Sequence, residues 1–389
     1  MKPLLLSILA PAFSYPPRSG GAVHIFHAVR ELSRFFESRF YCLNQQPESV
    51  SWGAMADFCA ELAAFRPQLR RGFSLDPPAV RLEYSPDMIA HCERVWQQQA
   101  PAIVQLEFSS MAQYVPLARR FGAKVVCTAH NLAFLAQLRR AQAEPQVQRK
   151  LRRYLGALSL WRYERRMLAA CDLVITHNQA DSLALQRLLP ALHVEYVPSG
   201  IDLAYWQPNF DAGVEDRVLF VGNFQHPPNS DGALWLADKV WPLVLRERPQ
   251  AQLILAGRGP TAAIQALAGP SLWVTGTLDD MRPLYAQASV FVAPIFWGSG
   301  VRIKLLEALA AGIPIVSTQL AAEGLDVSRS ALLAENAPDF AAAIVRLLDD
   351  RSLRVQLGAA GPLVVQRDHD WHKLGARLAE LYGMINVEC

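Results

Sequence analysis

The sequence predicts an α/β protein with two domains, each built on a parallel β-sheet. Short apolar runs typical of buried strands alternate with helical stretches, and this alternation favours parallel strand pairing. The order strand, glycine-containing loop, helix occurs at Leu4–Leu9 and again from Val218, as in Rossmann-like domains. A chain of 389 residues with 51% hydrophobic composition is long enough to bury two cores.

In the first half, a Pro-, Ser- and Gly-rich loop follows the first strand and ends at Ser19-Gly20-Gly21. The apolar spacing after it predicts a helix over Ala22–Phe36. Two later strands end in polar residues: Ala102–Phe108 contains Glu107, and Lys124–Asn131 ends in His130 and Asn131. Since open parallel sheets bind ligands at the carboxyl ends of their strands, His130 is a candidate site residue. A single histidine is more often structural, so this alternative stays open.

The second half repeats the pattern from Arg217, after a linker at Pro208–Glu215. Its first strand leads into a loop that begins Gly222-Asn223, and a later strand ends at Gly276-Thr277-Leu278. Further helices are predicted at Met281–Ala288, Pro338–Asp349, Ser352–Val365 and Trp371–Tyr382.

The stretch Val290–Ser317 is the most informative part of the chain. It is typical of a buried strand, a glycine loop at Gly298–Gly300, a helix from about Val301 to Gly312, and a second strand. A helix N-terminus after such a turn offers unpaired N–H groups and a positive dipole end, which suit an anion such as phosphate.

The helix of this stretch has a small polar face formed by Lys304, Glu307, Ala308 and Ala311. With Arg302, two cations stand at the helix start, where an external anion would balance them. Glu307, one turn further on, can accept hydrogen bonds from neighbouring hydroxyls such as those of a ribose. The alternative is an ordinary solvated surface helix.

The run Gly298-Ser-Gly-Val-Arg-Ile-Lys-Leu-Leu-Glu307-Ala-Leu-Ala-Ala-Gly-Ile-Pro-Ile-Val-Ser-Thr318 resembles the nucleotide-sugar signature of retaining family 4 glycosyltransferases. The resemblance extends more weakly over the whole chain. It implies the GT-B fold, with two Rossmann-like domains whose parallel sheets face each other across a cleft. It implies an N-terminal acceptor-side domain over 1–200, a nucleotide-sugar domain over 201–365, and a last helix in 366–389 that crosses back to the first domain.

The resemblance also implies roles for individual residues. Glu307 would hold the ribose of the donor, and His130 would lie near the transferred sugar. Arg302 and Lys304 would stabilise the leaving diphosphate and, with His130, form the catalytic set. The remaining implied donor-binding residues are Gly20, Gly21, Gly222, Asn223, Gly276, Thr277, Leu278, Ser299, Gly300 and Val301.

The chain departs from the family pattern at two places. The first Glu of the family's Glu-x7-Glu motif falls on Ser299, as in a subgroup with Arg-x-Lys before the second Glu. Asn223 and Asn229 stand where most members carry an Arg and a Lys that grip the diphosphate. Arg302 and Lys304 are then the expected replacements.

The composition argues against several classes of partner, location and cofactor. A net charge of +3 argues against nucleic acid as a partner, and no stretch reaches the length of a membrane span. The six cysteines show no metal-binding spacing, which favours unpaired thiols in a reducing cytoplasm. The start Met1–Ala12 mimics a signal peptide, but a first buried strand explains it better. Without an Asp-x-Asp motif, no metal or cofactor is expected beyond the nucleotide-sugar co-substrate.

The favoured function is a retaining, metal-independent glycosyltransferase that acts on a glycan, a lipid-linked acceptor or a small molecule. A nucleotide-sugar epimerase and a non-catalytic nucleotide-sugar-binding protein of the same fold are the alternatives. A dinucleotide-dependent dehydrogenase is disfavoured, because no Gly-x-Gly-x-x-Gly follows the first strand.

One segment concerns where in the cell the protein is expected to act. Between Leu117 and Met167, twelve Lys and Arg residues oppose only Glu144 and Glu164, a surplus of ten positive charges. Residues 149–168 form a basic amphipathic helix that is a candidate for peripheral contact with the inner face of the membrane. The alternative, slightly favoured on sequence alone, is an apolar stripe that faces the core with a solvated basic back.

Overall fold

The computed structural model describes residues 3–17, 19–70, 76–142, 144–208, 215–298 and 302–387. The chain divides into two compact units. Unit 1 contains the residues up to Ser199 together with those from Trp371 onward, and unit 2 runs from Gly200 to Asp370.

Unit 1 is built on a parallel sheet of seven strands in the order β3-β2-β1-β4-β5-β6-β7. The strands are β1 Leu5–Ala10, β2 Glu37–Leu43, β3 Glu61–Phe65, β4 Ile103–Glu107, β5 Lys124–Ala129, β6 Leu173–Thr176 and β7 Val194–Tyr196. The central strands β1, β4, β5 and β6 have almost entirely buried side chains, because hydrophobic clusters cover both faces of the sheet.

The helices of unit 1 connect and cover these strands. They are α1 Gly20–Leu32, α2 Pro78–Leu82, α3 Pro86–Gln98, α4 Val115–Arg120, α5 Ala133–Gln142, α6 Val147–Leu168, α7 Gln179–Leu188 and the last helix of the chain, Trp371–Val387.

Unit 2 has a parallel sheet of six strands in the order β10-β9-β8-β11-β12-β13. The strands are β8 Arg217–Val221, β9 Gln252–Ala256, β10 Leu272–Gly276, β11 Val290–Ala293, β12 Ile315–Ser317 and β13 Ala331–Leu333. The helices are α8 Pro227–Trp235, α9 Trp241–Glu247, α10 Ala262–Gln265, α11 Arg282–Gln287, α12 Ile303–Ala310, α13 Ala337–Asp349 and α14 Arg351–Asp368, so the last helix of the chain is α15. The prediction of two parallel α/β domains is confirmed.

Two predicted helix starts differ from the structure by two residues. The helix α1 begins at Gly20 rather than Ala22 and ends at Leu32, because the Ser19 hydroxyl caps it by accepting from the Ala22 N–H at 3.3 Å. Gly20 and Gly21 are therefore the first turn of a helix and not part of a loop. The helix α12 begins at Ile303, so Arg302 stands at the N-cap with extended backbone rather than in the first turn.

The helix α12 ends as its glycine predicts. Gly312 has φ 74°, a left-handed conformation that closes a helix at low cost only for glycine. The Ile313 N–H then donates to the Ala308 carbonyl at 3.0 Å, and β12 begins at Ile315.

The chain returns to unit 1 at Trp371, later than the predicted boundary at 366, since α14 continues to Asp368 in unit 2. The helix α15 then packs on α1 so closely that a Cβ on Gly375 would lie 2.3 Å from the Glu31 Cβ. The Tyr382 hydroxyl donates to Gln105 Oε1 on β4 at 2.7 Å. The last helix therefore completes the core of unit 1.

The helix α6 differs from the favoured prediction. Leu151, Tyr154, Leu155 and Leu158 are exposed, with Leu151 at 61% and Leu155 at 60%. The interpretation as a stripe facing the core is wrong for these four side chains. The helix is instead attached by Glu164, which is buried and accepts from the Ala133 and Phe134 N–H groups at the start of α5, each at 2.9 Å.

Across the described part of the chain, no helix combines the length and apolarity needed to cross a membrane. The five cysteines that the structure describes are free thiols, and four of them are buried.

Candidate functional site

In unit 2, three glycines lie at the carboxyl ends of adjacent parallel strands. Gly222 follows β8, Gly257 follows β9, and Gly276 ends β10. Gly257 has φ 135°, and a Cβ there would lie 1.9 Å from the Gly222 carbonyl oxygen, so the two loops touch backbone to backbone. Glycine permits this approach because it has no side chain. The result is a bare backbone edge where such sheets bind ligands.

Asn229 on α8 connects that edge to α12. Its Nδ2 donates to the Asn223 carbonyl at 2.9 Å, and its Oδ1 accepts from Lys304 Nζ at 2.7 Å. The ammonium also lies over the Phe220 ring, 4.7 Å from the centroid. Asn229 stands at a position where most members of the similar family carry a cation. Here it orients Lys304, the residue predicted to supply the missing positive charge.

The Lys304 ammonium is partly buried at the start of α12. Burial, together with repulsion from Arg302, lowers the pKa of Lys304 to about 7, although Glu307 opposes the shift. A lysine in this state gains a full charge when an anion arrives next to it. The helix start is therefore suited to a ligand that carries negative charge.

Glu307 lies one turn further along α12 and is fixed by Tyr285 of α11. The Tyr285 hydroxyl donates to Glu307 Oε2 at 2.6 Å. Burial raises the pKa of Glu307, while the Tyr285 hydrogen bond and Lys304 act in the opposite direction. Tyr285 itself is buried, stacks on Phe291 and contacts Trp206 edge to face. The carboxylate is thus held at a defined place as an acceptor.

The remaining predicted residues of this domain are distributed as follows. Thr277 and Leu278 are exposed in the loop after β10, and Gly276 has φ 71°. A Cβ on Gly298 would lie 3.3 Å from Arg302 Nη2. Ser299, Gly300 and Val301 lie outside the described residues. The structure brings Gly222, Asn223, Lys304 and Glu307 to one end of the unit 2 sheet.

In unit 1, His130 follows β5 and is held on two sides. Its Nε2 bonds to Glu107 Oε2 at 2.6 Å, and its ring stacks on Phe108 with centroids 3.9 Å apart. Phe108 has φ 68°, which is uncommon for a bulky residue and directs its ring to this place. A Cβ on Gly21 would meet the Phe108 ring at 2.7 Å. Gly21 and His130 therefore both lie against the Phe108 ring.

Two further histidines surround His130. The centroid of the His24 ring lies 4.9 Å from that of His130, and the centroid of His177 lies 5.1 Å from it. Burial lowers the pKa of His24, with a further contribution from the neighbouring histidines, and burial lowers the pKa of His177 to about 3. Both rings are therefore neutral at neutral pH.

Sequence reasoning missed Tyr285, His24 and His177. His177 directly follows β6, so the strand-end position that singled out His130 would have found it. His24 lies within α1, and Tyr285 within α11, where no local pattern distinguishes them from packing residues.

Two family models match the chain, one in each half. A model described as Glycosyltransferase Family 4 matches residues 18–205, and one described as Glycosyl transferases group 1 matches residues 215–350. The second match contains Gly222, Asn229, Tyr285, Lys304 and Glu307.

Among curated proteins, the chain is similar to the phosphatidyl-myo-inositol mannosyltransferase of Mycolicibacterium smegmatis, with 28% identity over 205 residues. The alignment covers 49% of the chain and 52% of that protein. The chain thus spans about half the length of this relative.

Solved structures of other proteins are similar to this chain over nearly its whole length. The sucrose-phosphate synthase of Thermosynechococcus elongatus superposes with a TM-score of 0.77 at 19% identity, over 98% of this chain and 99% of the other. The Anabaena HepE protein, in complex with UDP and glucose, superposes with a TM-score of 0.67 at 12% identity, over 98% and 100%. These likenesses show a GT-B fold. The two family matches make each half of the chain similar to a glycosyltransferase domain, the first half to family 4 and the second half to group 1.

Proposed function

We propose that the protein transfers a sugar from a nucleotide-sugar donor to a glycan or lipid-linked acceptor, with retention of the anomeric configuration. The observation that carries the proposal is the start of α12, where Asn229 orients Lys304 and Tyr285 orients Glu307. A cation and a carboxylate one helical turn apart complement the diphosphate and the ribose of one ligand.

The diphosphate is the leaving group, and negative charge grows on it as the glycosidic bond breaks. Groups already aimed at that charge stabilise the transition state more than the ground state. We propose that Arg302, Lys304 and the start of α12 supply this stabilisation without a metal ion. Ser299, Gly300 and Val301 are proposed to complete the anion site.

Glu307 is proposed to accept from the ribose hydroxyls, and the backbone at Gly276, Thr277 and Leu278 to contact the base. The backbone contact between Gly222 and Gly257 supports this orientation, because glycines at these positions leave the carboxyl end of the sheet without Cβ atoms. The solved HepE structure, which contains UDP and glucose, is consistent with a donor of this class.

The roles of the unit 1 residues in the reaction are proposed from the resemblance to family 4 glycosyltransferases and from the local geometry of unit 1. Gly20 and Gly21 are proposed to bind the donor, and His130 is proposed to lie near the transferred sugar. No nucleophilic carboxylate is assigned, so retention is proposed to follow from attack by the acceptor on the face that the leaving group occupies.

The acceptor class is proposed from the relatives and from α6. The similar mycobacterial protein is named for transfer to a phosphoinositide lipid. The apolar stripe of α6 is exposed and has Arg149 and Arg152 beside it. We propose that this face lies on anionic lipid at the inner side of the cytoplasmic membrane, where a lipid-linked acceptor is within reach.

A donor and acceptor screen tests the proposal. The full chain is incubated with UDP-, GDP- and TDP-hexoses, with and without a lipid extract, and nucleoside diphosphate and products are followed by mass spectrometry. We expect one donor to release its diphosphate together with a glycosylated lipid or glycan, and NMR to show the donor's anomeric configuration in the product.

The other outcomes identify the alternatives. An isomeric nucleotide sugar formed without acceptor would indicate an epimerase, and tight binding of a donor without turnover would indicate a sensor. An inverted product would overturn the proposed retention while leaving the transferase assignment intact.

The absence of a metal requirement at the diphosphate is tested by adding metals back. Activity after chelation is measured with added Mg²⁺ or Mn²⁺, the hard cations that bind phosphate oxygens. We expect neither cation to raise turnover. A requirement for Mg²⁺ or Mn²⁺ would overturn the assignment of Arg302 and Lys304 as the only charges on the leaving group.

A further inference from the structure

Three histidines from three separate elements of unit 1 meet in one cluster. His24 comes from α1, His130 follows β5 and His177 follows β6. One ring nitrogen of each lies within 4.8 Å of the others. Among the described residues, this is the group of His, Cys, Asp and Glu side chains arranged to hold a metal ion. Linear spacing could not predict it, because the ligands are far apart in the chain.

Hydrogen bonds fix which nitrogen of two rings carries the proton. His177 Nδ1 bonds to the Val197 carbonyl at 2.7 Å, and a carbonyl only accepts, so Nδ1 carries the hydrogen and Nε2 the lone pair. His130 Nε2 donates in the same way to the buried Glu107 carboxylate, which leaves its lone pair on Nδ1. The hydrogen-bond acceptor beside each of these two rings therefore determines which ring nitrogen is protonated.

Two of the three rings are buried and have a ring nitrogen without a hydrogen-bond partner among the described residues. His24 and His177 are each 3% exposed, and His24 Nδ1 and His177 Nε2 have no hydrogen-bond partner in the part of the chain that the structure describes. Buried polar atoms without a partner are uncommon in folded proteins and costly. A ligand that accepts lone pairs would remove that cost for both rings together.

The surroundings resemble those of metal-binding histidines, which donate their second N–H to a carboxylate or a backbone carbonyl. Glu107 is itself held by the Gln105 amide, and Gln105 Oε1 accepts from the Tyr382 hydroxyl. Phe108 stacks on His130, and Trp371 packs against His24 with centroids 4.9 Å apart. Glu107 and Tyr382 are therefore positioning residues for the cluster.

We propose that His24, His130 and His177 bind one transition-metal dication, with zinc as the expected ion. Imidazole nitrogens select zinc, copper, cobalt or nickel over magnesium and calcium. Tetrahedral zinc has nitrogens at about 2.0–2.1 Å and thus about 3.3 Å apart, so nitrogens now within 4.8 Å of one another would approach by up to about 1.5 Å on binding. His130 is the least buried of the three rings.

The ion would join α1 to the ends of β5 and β6 and stabilise unit 1. This inference goes beyond the proposed transfer reaction and does not rest on it. It also gives His130 a second assignment: as a ligand through Nδ1, it would serve the sugar side of the reaction only through the bound ion.

The test uses the full chain, stripped with a chelator and then titrated with Zn²⁺ or Co²⁺. We expect one ion per chain by mass spectrometry of the metal, the strong visible absorption of tetrahedral Co²⁺, and a rise in melting temperature with Zn²⁺. These readouts on the unaltered protein keep the test valid if a variant fails to fold.

Variants then identify the ligands. His24→Ala and His177→Ala should each lose the Co²⁺ absorption, and Glu107→Gln should weaken metal binding by roughly 10–100-fold because it holds His130. His193→Ala is the matched control, since that histidine is exposed and lies outside the cluster. The proposal is overturned if the unaltered chain binds no stoichiometric Zn²⁺ or Co²⁺, or if the cluster variants bind as tightly as the control.

Discussion

At the residue scale, the pair of Tyr285 and Glu307 is proposed to hold the donor. Glu307→Ala should weaken donor binding by about 1–3 kcal/mol, because ribose hydroxyls would lose a buried acceptor. Tyr285→Phe should produce a smaller loss, since the carboxylate remains but is no longer oriented by the hydroxyl at 2.6 Å. Calorimetric titration with the donor measures both.

The exposed Glu380 on α15 provides the matched control for that pair. Glu380→Ala should bind the donor as the unaltered chain does. Donor affinity that is equal in Glu307→Ala and in the control, with both proteins folded, would remove Glu307 from the site.

Lys304 should make donor binding depend on pH. Its pKa is about 7 in the free protein because of burial and Arg302, and a bound diphosphate raises it again. Binding therefore takes up a proton wherever the free lysine is neutral. Affinity should fall as pH rises above about 7, by up to about tenfold per pH unit. Below that pH this contribution is fully present.

Proton uptake is measured by titration in two buffers of different ionisation enthalpy at pH 8. Lys304→Gln should bind more weakly and lose the uptake. If the variant keeps the pH dependence of the unaltered chain, another group titrates on binding and Lys304 does not contact the anion.

At the element scale, α6 presents apolar and basic side chains to solvent on one helix. Anionic vesicles should co-sediment with the protein at low salt and release it at high salt, because cations near such a surface contribute roughly 1 kcal/mol each. Leu151→Ser combined with Leu155→Ser should reduce binding through lost apolar insertion, and Arg149→Gln combined with Arg152→Gln through lost charge.

Leu363→Ser on α14 is the control for α6, since Leu363 is 67% exposed but lies on another helix. It should bind vesicles as the unaltered chain does. Failure to bind anionic vesicles even at low salt would show that the exposed face of α6 serves another purpose.

At the scale of the whole molecule, the chain leaves unit 1, forms unit 2 and returns with α15. Gly375→Ala should lower the free energy of unfolding by about 1–3 kcal/mol, because the new methyl group would overlap Glu31 on α1. The intrinsic helix preference of alanine over glycine, about 1 kcal/mol, acts in the other direction. Denaturant unfolding measures the balance.

Gly383→Ala is matched to this change, because it lies on the same helix and a Cβ there would meet nothing within 4 Å. It should leave stability unchanged or raise it. If Gly375→Ala is as stable as Gly383→Ala, the close packing of α15 on α1 does not contribute to the stability of unit 1.

Much of the architecture follows from local pattern. Apolar runs such as Lys124–Ala129 and Arg217–Val221 predict buried strands because a parallel strand is covered on both faces and tolerates few polar side chains. Gly312 and Pro314 likewise predict where α12 stops and the next strand starts. Helix starts were less well predicted, since the Ser19 cap acts through a hydrogen bond that apolar spacing does not record.

The sequence by itself determined the two parallel sheets and the strand-to-helix unit that carries Lys304 and Glu307 in the candidate site. Only the tertiary structure decided which side chains complete it. Asn229 reaches Lys304 across 75 positions of sequence, and Tyr285 reaches Glu307 from another helix. The histidine cluster and the exposed face of α6 were decided in the same way. Local periodicity records which face of an element is apolar, whereas contacts between distant elements arise only when the sheets and helices pack.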